Sequence, residues 1–211
     1  MMLLYGRLTS INVQKVVWCL GELGRVEGRD YKRIDAGLTF GVNDTPEYLA
    51  MNPTGLVPTL VDGDFALWES NAIVRYLAAD SPLFPASNPQ LRASADRWME
   101  WATGTLWAAV RVTFVGMTRT PEDQRDMAAI KASFRSSNSL LAIADAQLAK
   151  SRYCTGPQLT AGDIPLALTV HRWRNLAERF APALGERDAY THLERWYREI
   201  AERPSFQASL A

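Results

Sequence analysis

The sequence predicts a two-part fold. An α/β unit with element order β-α-β-α-β-β-α covers residues 1–80, and an all-helical bundle covers residues 91–211. Three observations predict it. Short apolar runs alternate with helix-periodic runs as far as residue 80. Residues 81–90 hold three prolines and read as a linker. Beyond them only long helix-periodic stretches occur.

Met2–Tyr5 is an apolar run closed by Gly6 and reads as a buried strand. Ser10 to Gly24 reads as a helix, with Val13, Val16, Val17, Leu20 and Leu23 on one stripe and Gly24 at the C-terminal cap position. Tyr31–Asp35 is a second strand, and Thr45–Met51 one or two helical turns. Asn52-Pro53-Thr54-Gly55 is turn chemistry. Val57–Val61 and Phe65–Trp68 flank Asp62-Gly63-Asp64, a hairpin signal. Ser70–Ala79 completes the unit as a helix. A helix between the first two strands favours a parallel pair, whereas the last two form an antiparallel hairpin. In the second half, Leu91–Val115, Pro121–Lys150, Ile164–Phe180 and Ala189–Arg203 read as helices of a bundle.

The 211 residues balance 23 Lys+Arg against 23 Asp+Glu, which leaves no basic footprint for nucleic acid. No apolar run approaches a membrane span, and the N-terminus carries no basic region before an apolar stretch, so neither membrane nor export is expected. Two cysteines, Cys19 and Cys154, make no disulfide framework, and His171 and His192 have no neighbouring ligand cluster, so no metal is expected. A reducing cytoplasm is the expected location.

Residues 52–71 carry the chemistry. Pro58 opens an apolar run that otherwise reads as a strand, which a strand-initiating proline or a cis Val57-Pro58 bond would explain. A cis bond would turn the Val57 N–H and C=O outward, free to pair with an extended peptide. In Trp68-Glu69-Ser70-Asn71, Ser70 stands at a helix start, where its hydroxyl and the free N–H groups form an anion site. Glu69 beside it can hold an ammonium. Adjacent receptors for an anion and a cation suit an α-amino acid head group, although a serine N-cap beside a solvated glutamate is the far commoner reading of these residues alone.

The run Asn52-Pro53-Thr54-Gly55-Leu56-Val57-Pro58-Thr59-Leu60 with Asp62-Gly63, then Glu69-Ser70-Asn71-Ala72-Ile73-Val74-Arg75-Tyr76-Leu77, resembles the NPxGxVPxL and ESxAIxxYL motifs of cytosolic glutathione S-transferases. The spacing matches over roughly residues 50–77, and the layout matches along the whole chain. Thr160-Ala161-Gly162-Asp163 resembles the family's buried capping box, a folding device. The resemblance implies a thioredoxin-like first domain. It also implies glutathione as co-substrate, bound through Val57, Pro58, Glu69, Ser70 and Asn43, and a homodimer with a detoxification role in the cytoplasm.

Glutathione is a thiol, largely protonated at neutral pH, and a transferase must stabilise its thiolate. Leu8-Thr9-Ser10-Ile11-Asn12-Val13 resembles the serine-type and bacterial (S/T)xN members, in which a hydroxyl and an asparagine amide face the sulfur. That carries the catalytic roles to Ser10 and Asn12, with Thr9 as the other hydroxyl and Tyr5 as a tyrosine-type alternative. A cysteine-type member would place a cysteine at position 10. The family pattern also implies a pocket between the domains for a small hydrophobic electrophile, to which Trp101, Thr105 and Arg111 are assigned. Departures at Leu56, Asn71 and the Gly37–Asp44 loop point to modest glutathione affinity. The alternatives are a glutathione-dependent disulfide or peroxide reductase of the same fold, an isomerase or dehalogenase, and a non-catalytic binding protein.

Overall fold

The computed structural model describes residues 1–210. It divides into two compact units, Met1–Pro89 with the segment from Ala201 onward, and Gln90–Ile200.

In the first unit, β1 (Met2–Tyr5), α1 (Ile11–Glu22), β2 (Tyr31–Ile34), α2 (Pro46–Met51), β3 (Thr59–Asp62), β4 (Phe65–Trp68) and α3 (Ser70–Ala78) follow in the predicted order. The sheet runs β2-β1-β3-β4. β1 and β2 are parallel with Met2 opposite Tyr31; β1 and β3 are antiparallel with Tyr5 opposite Thr59, and β3 and β4 form the hairpin. This is the thioredoxin-like arrangement. Leu4, Leu60 and Tyr31 from the strands pack with Val13, Val16, Val17 and Leu20 of α1 and Ile73 of α3. α1 is more than amphipathic, since every residue from Val13 to Leu20 is buried, Gln14 and Lys15 included. α2 begins at Thr45, whose hydroxyl accepts the Tyr48 N–H at 3.3 Å, with Pro46 pre-set for the first turn.

Gly6 ends β1 at φ +147°, and a Cβ there would lie 2.4 Å from Val13 and 3.3 Å from Val57. Only glycine lets the first turn of α1 and the segment before β3 close on the strand end together.

In the second unit, α4 (Pro89–Glu100), α5 (Trp107–Thr118), α6 (Met127–Leu148), α7 (Asp163–Arg179), α8 (Ala181–Leu184) and α9 (Thr191–Ala201) form an all-helical body. The expected single helix over Leu91–Val115 is broken by a π-helical segment, Trp101–Leu106. The buried stripe Ala95, Met99, Ala102, Leu106, Val110, Thr113 and Met117 keeps helical spacing through it. The widened turn therefore leaves no mark in the apolar periodicity. Asp163 is fully buried and accepts the N–H groups of Thr160 and Cys154 and the Trp196 indole, each at 3.0 Å. The box thus ties a loop and α9 to the start of α7 as well as reaching back to Thr160.

The last helix, α10 (Pro204–Leu210), was expected with the helical half but belongs to the first unit. Phe206 meets Trp18 edge-on at 4.9 Å. Glu22, at the end of α1, accepts from Trp18 Nε1 at 2.8 Å, from Arg203 Nε at 2.7 Å and from the Ser205 hydroxyl. Burial pushes the Glu22 carboxyl up, but the hydrogen bonds from Arg203, Ser205 and Trp18 outweigh it and hold it below its ordinary value. A lowered folded-state pKa stabilises the fold above the unfolded pKa, and that contribution disappears as pH falls through the folded value. Glu22→Gln should therefore cost about 2 kcal/mol at neutral pH. Urea denaturation at neutral pH and again below the ordinary glutamate range should show the gap to the parent closing on acidification.

Candidate functional site

The first unit brings the N-termini of α1 and α3 to the same end of the sheet as the segment before β3. Ser10 is the N-cap residue of α1 in extended conformation (φ −82°, ψ 122°). Its backbone carbonyl accepts from Gln14 N–H at 2.9 Å, yet its side chain makes no capping bond. Serine is chosen at such positions for its hydroxyl, and here that hydroxyl is left to serve something outside the helix. Asn12, one turn in and half-buried, accepts the Ser70 hydroxyl on its Oδ1 at 3.3 Å. That bond links α1 to α3 and fixes the amide plane. Lys15 follows, with Nζ 3.4 Å from Ser70 Oγ.

Ser70 is the first residue of α3 and is 5 % exposed. Glu69 before it is exposed and has φ +71°, ψ 111°, in the left-handed half of the map. Such a conformation costs a non-glycine residue about 1–3 kcal/mol and concentrates at functional sites. The strain turns the chain sharply from β4 into α3 and sets the Glu69 carboxylate beside the helix N-terminus.

The Val57-Pro58 bond is cis, and the strand starts at Thr59, two residues later than the sequence reading began it. Neither the N–H nor the C=O of Val57 is hydrogen-bonded among the described residues. The preceding turn is held from beneath. Tyr48 Oη donates to the Leu56 carbonyl at 2.6 Å and lies 2.8 Å from Thr59 Oγ1. Asn52 Nδ2 donates to both of the same acceptors at 2.9 Å, while its Oδ1 accepts the Thr54 hydroxyl at 2.6 Å. Asn43 Nδ2 donates to the Gly55 carbonyl at 2.6 Å, so its amide nitrogen steadies this loop. Tyr48 and Asn52 were not singled out from the sequence for this role; the asparagine that opens the NPxG run was the available signal.

The other thiolate candidates border this cluster. Tyr5 packs edge-on against Tyr48 at 5.8 Å, and Thr9 is exposed. Cys19 is buried in α1, where burial and then the Glu22 carboxylate push its thiol up to about 12. Cys154 is likewise buried, and burial with Asp163 beside it raises its thiol well above the ordinary value. Neither sulfur is poised as a nucleophile.

In the second unit, Trp101 opens the π-helical segment and meets Trp98 edge-on at 5.2 Å. The two indoles line a cavity of about 500 Å³ with Arg97, Ile143, Gln147 and Lys150. Thr105 and Arg111 are exposed and do not line that cavity. π-helical segments recur at functional positions.

The geometry defines a thioredoxin-like unit with two helix N-termini and a free backbone edge at one end of its sheet. The family described as "Glutathione S-transferase, N-terminal domain" matches residues 1–79, and "Glutathione S-transferase, C-terminal domain" matches residues 105–204. The chain is 42 % identical over 209 residues to glutathione S-transferase GstB of Escherichia coli (strain K12), covering 97 % of this chain and 95 % of that one. It is 31 % identical over 215 residues to glutathione S-transferase 3 of Zea mays, covering 99 % and 92 %. The crystal structure of a theta class glutathione S-transferase from Xanthomonas axonopodis pv. citri with glutathione bound superposes with a TM-score of 0.88 at 44 % identity, covering 99 % of this chain and 96 % of that one. This chain belongs to the glutathione S-transferase family.

Tyr48→Phe removes the hydroxyl between the Leu56 carbonyl and Thr59. It should lower stability by about 1–2 kcal/mol. Amide exchange across residues 56–59 should accelerate in the same variant, read by mass spectrometry.

Proposed function

We propose that this chain is a serine-type glutathione transferase, and that Ser10 with Asn12 stabilises the glutathione thiolate for attack on a small hydrophobic electrophile. The observation that carries this reading is the N-cap serine whose hydroxyl the helix does not use. In this reading the γ-glutamyl carboxylate sits on Ser70 and the α3 N-terminus, with Glu69 taking the ammonium. The cysteinyl backbone pairs with Val57 beside Pro58, and Asn43 supports the loop near the glycine end.

The chemistry follows from charge. A free thiol near pKa 8.5 is only a few per cent thiolate at neutral pH. A hydrogen bond to an ionised acceptor is worth about 1.5–3 kcal/mol, or roughly one to two pKa units. The Ser10 hydroxyl and the Asn12 amide supply such bonds, and the positive end of the α1 dipole adds to them. The thiolate then attacks an electrophilic carbon and the leaving group departs, with no covalent bond to the enzyme. Trp101, Thr105 and Arg111 are proposed to meet the electrophile. The two buried, high-pKa cysteines count against a reductase that uses its own thiol.

Ser10→Ala should lower turnover by about 10- to 100-fold and raise the pKa of bound glutathione by roughly one to two units. Thiolate absorbance titrated in parent and variant reads this directly; coincident curves would remove Ser10 from the mechanism. A panel of aryl halides, epoxides, isothiocyanates, peroxides and mixed disulfides separates transfer from reduction, and no turnover with any of them would favour a binding protein.

A cytoplasmic homodimer with a detoxification role completes the proposal. No helix among the described residues is long and apolar enough to cross a membrane. Phe65, Trp68 and Tyr76 are exposed at 48 %, 37 % and 42 %, and Phe65 and Tyr76 are in ring contact at 5.5 Å. An exposed aromatic group of this kind supports a protein contact. Phe65→Glu should shift the mass measured by light scattering from two chains to one; an unchanged mass excludes this face.

A further inference from the structure

Four tryptophans are buried, and three of their indole N–H groups have an acceptor. Trp18 donates to Glu22 at 2.8 Å, Trp173 to Asn138 at 2.9 Å and Trp196 to Asp163 at 3.0 Å. Trp98 is the exception. It is 7 % exposed, and its Nε1 is buried with no hydrogen-bond partner among the described residues. A buried donor costs free energy until something supplies an acceptor. Trp98 also lines the cavity of about 500 Å³ in the helical unit.

That cavity has the make-up of a ligand site. Its volume falls within the range of about 300–1,000 Å³ usual for small-molecule pockets. The Trp98 and Trp101 rings meet at 81°, so they form two walls of a corner. Opposite them, Ile143 and Gln147 of α6 and Lys150 just past its end share one helix face, and Ile143 is 50 % exposed. The charge is one-sided: Arg97 and Lys150 line the cavity and no carboxylate does. Arg97 Nη2 donates to the Ser94 hydroxyl at 3.2 Å, and neither cation is ion-paired among the described residues. Asp145 of α6 is engaged elsewhere, accepting the His192 and Leu193 N–H groups at 2.8 Å. Asp96 and Glu100 of α4 do not line the cavity.

We propose that this cavity binds a flat aromatic molecule that carries an anionic group, at a site separate from the glutathione chemistry. The ring of the ligand packs on the indoles. Its anionic oxygens lie between Arg97 and Lys150, and one of them accepts the Trp98 N–H. The proposal stands on the helical unit alone. It goes beyond the transferase reading, which takes only Trp101 from this set of residues.

The test uses the full-length protein and two probes of one shape, the sulfonate and the neutral hydroxymethyl derivative of naphthalene, substituted at the same carbon. Calorimetry should show saturable binding of the sulfonate by the parent, about 10-fold tighter than the alcohol. Arg97→Gln combined with Lys150→Gln, both at the surface, should weaken the sulfonate about 10-fold and leave the alcohol within about 2-fold. Trp98→Phe, which keeps a ring and removes the N–H, should weaken the sulfonate by about 3- to 10-fold. No saturable sulfonate binding by the parent would overturn the proposal, as would charge removal that weakens both probes alike. Competition between the sulfonate and chlorodinitrobenzene in the conjugation assay would merge the cavity with the electrophile pocket and overturn the separate site. A parent that binds no sulfonate, with Trp101→Ala shifting the mass by light scattering from two chains to one, would make a second copy the occupant instead. A parent without transferase turnover would overturn only the reading above, since calorimetry decides this one.

Discussion

The site depends on one close approach. At Gly6 the end of β1 meets the first turn of α1 and Val57 with no room for a side chain. Any larger residue would push Val13 away and carry the start of α1 off the strand end. Everything chemical in this unit lies within a short reach of that point: the uncommitted Ser10 hydroxyl, the Asn12 amide and the unpaired backbone of Val57. The Gly6 backbone lies directly against the Val13 and Val57 side chains, which fixes the strand end against the helix start.

Around this point the polar groups fall into two layers with different work. Tyr48, Asn52, Thr54 and Thr59 bond to one another and to the Leu56 carbonyl, and so hold the turn. Ser10, Glu69 and Val57 keep groups unspent. Burial separates the layers: Tyr48, Asn52 and Thr59 are almost wholly buried, where an unmet polar group is costly, whereas Glu69 is exposed.

The sequence made much of this legible, for physical reasons that can be named. The hairpin was readable because Asp62-Gly63-Asp64 admits few backbone paths. The helix starts were readable because Ser10, Thr45 and Ser70 stand where orphan N–H groups gather. Other features left no local trace. The π-helical segment keeps the spacing of buried residues, so periodicity cannot reveal it. Lys15 carries the residue type least expected inside, and Ser70, which it meets there, comes from 55 positions away. The allegiance of α10 rests on Trp18 and Glu22, nearly the full chain length distant. Of the residues assigned to the electrophile, Trp101 lines a cavity within its unit, whereas Thr105 and Arg111 do not line that cavity.

The return of α10 to the first unit governs how the chain can be made. The first 89 residues leave the ribosome with one side of α1, including Trp18 and the Glu22 carboxylate, still waiting for a segment translated more than a hundred residues later. The first unit therefore cannot reach its final packing as a nascent fragment, and must stay half-finished while more than a hundred further residues emerge. A ribosome that stalls before α10 has emerged would leave the front of the molecule, rather than the part made latest, exposed to chaperones and proteases.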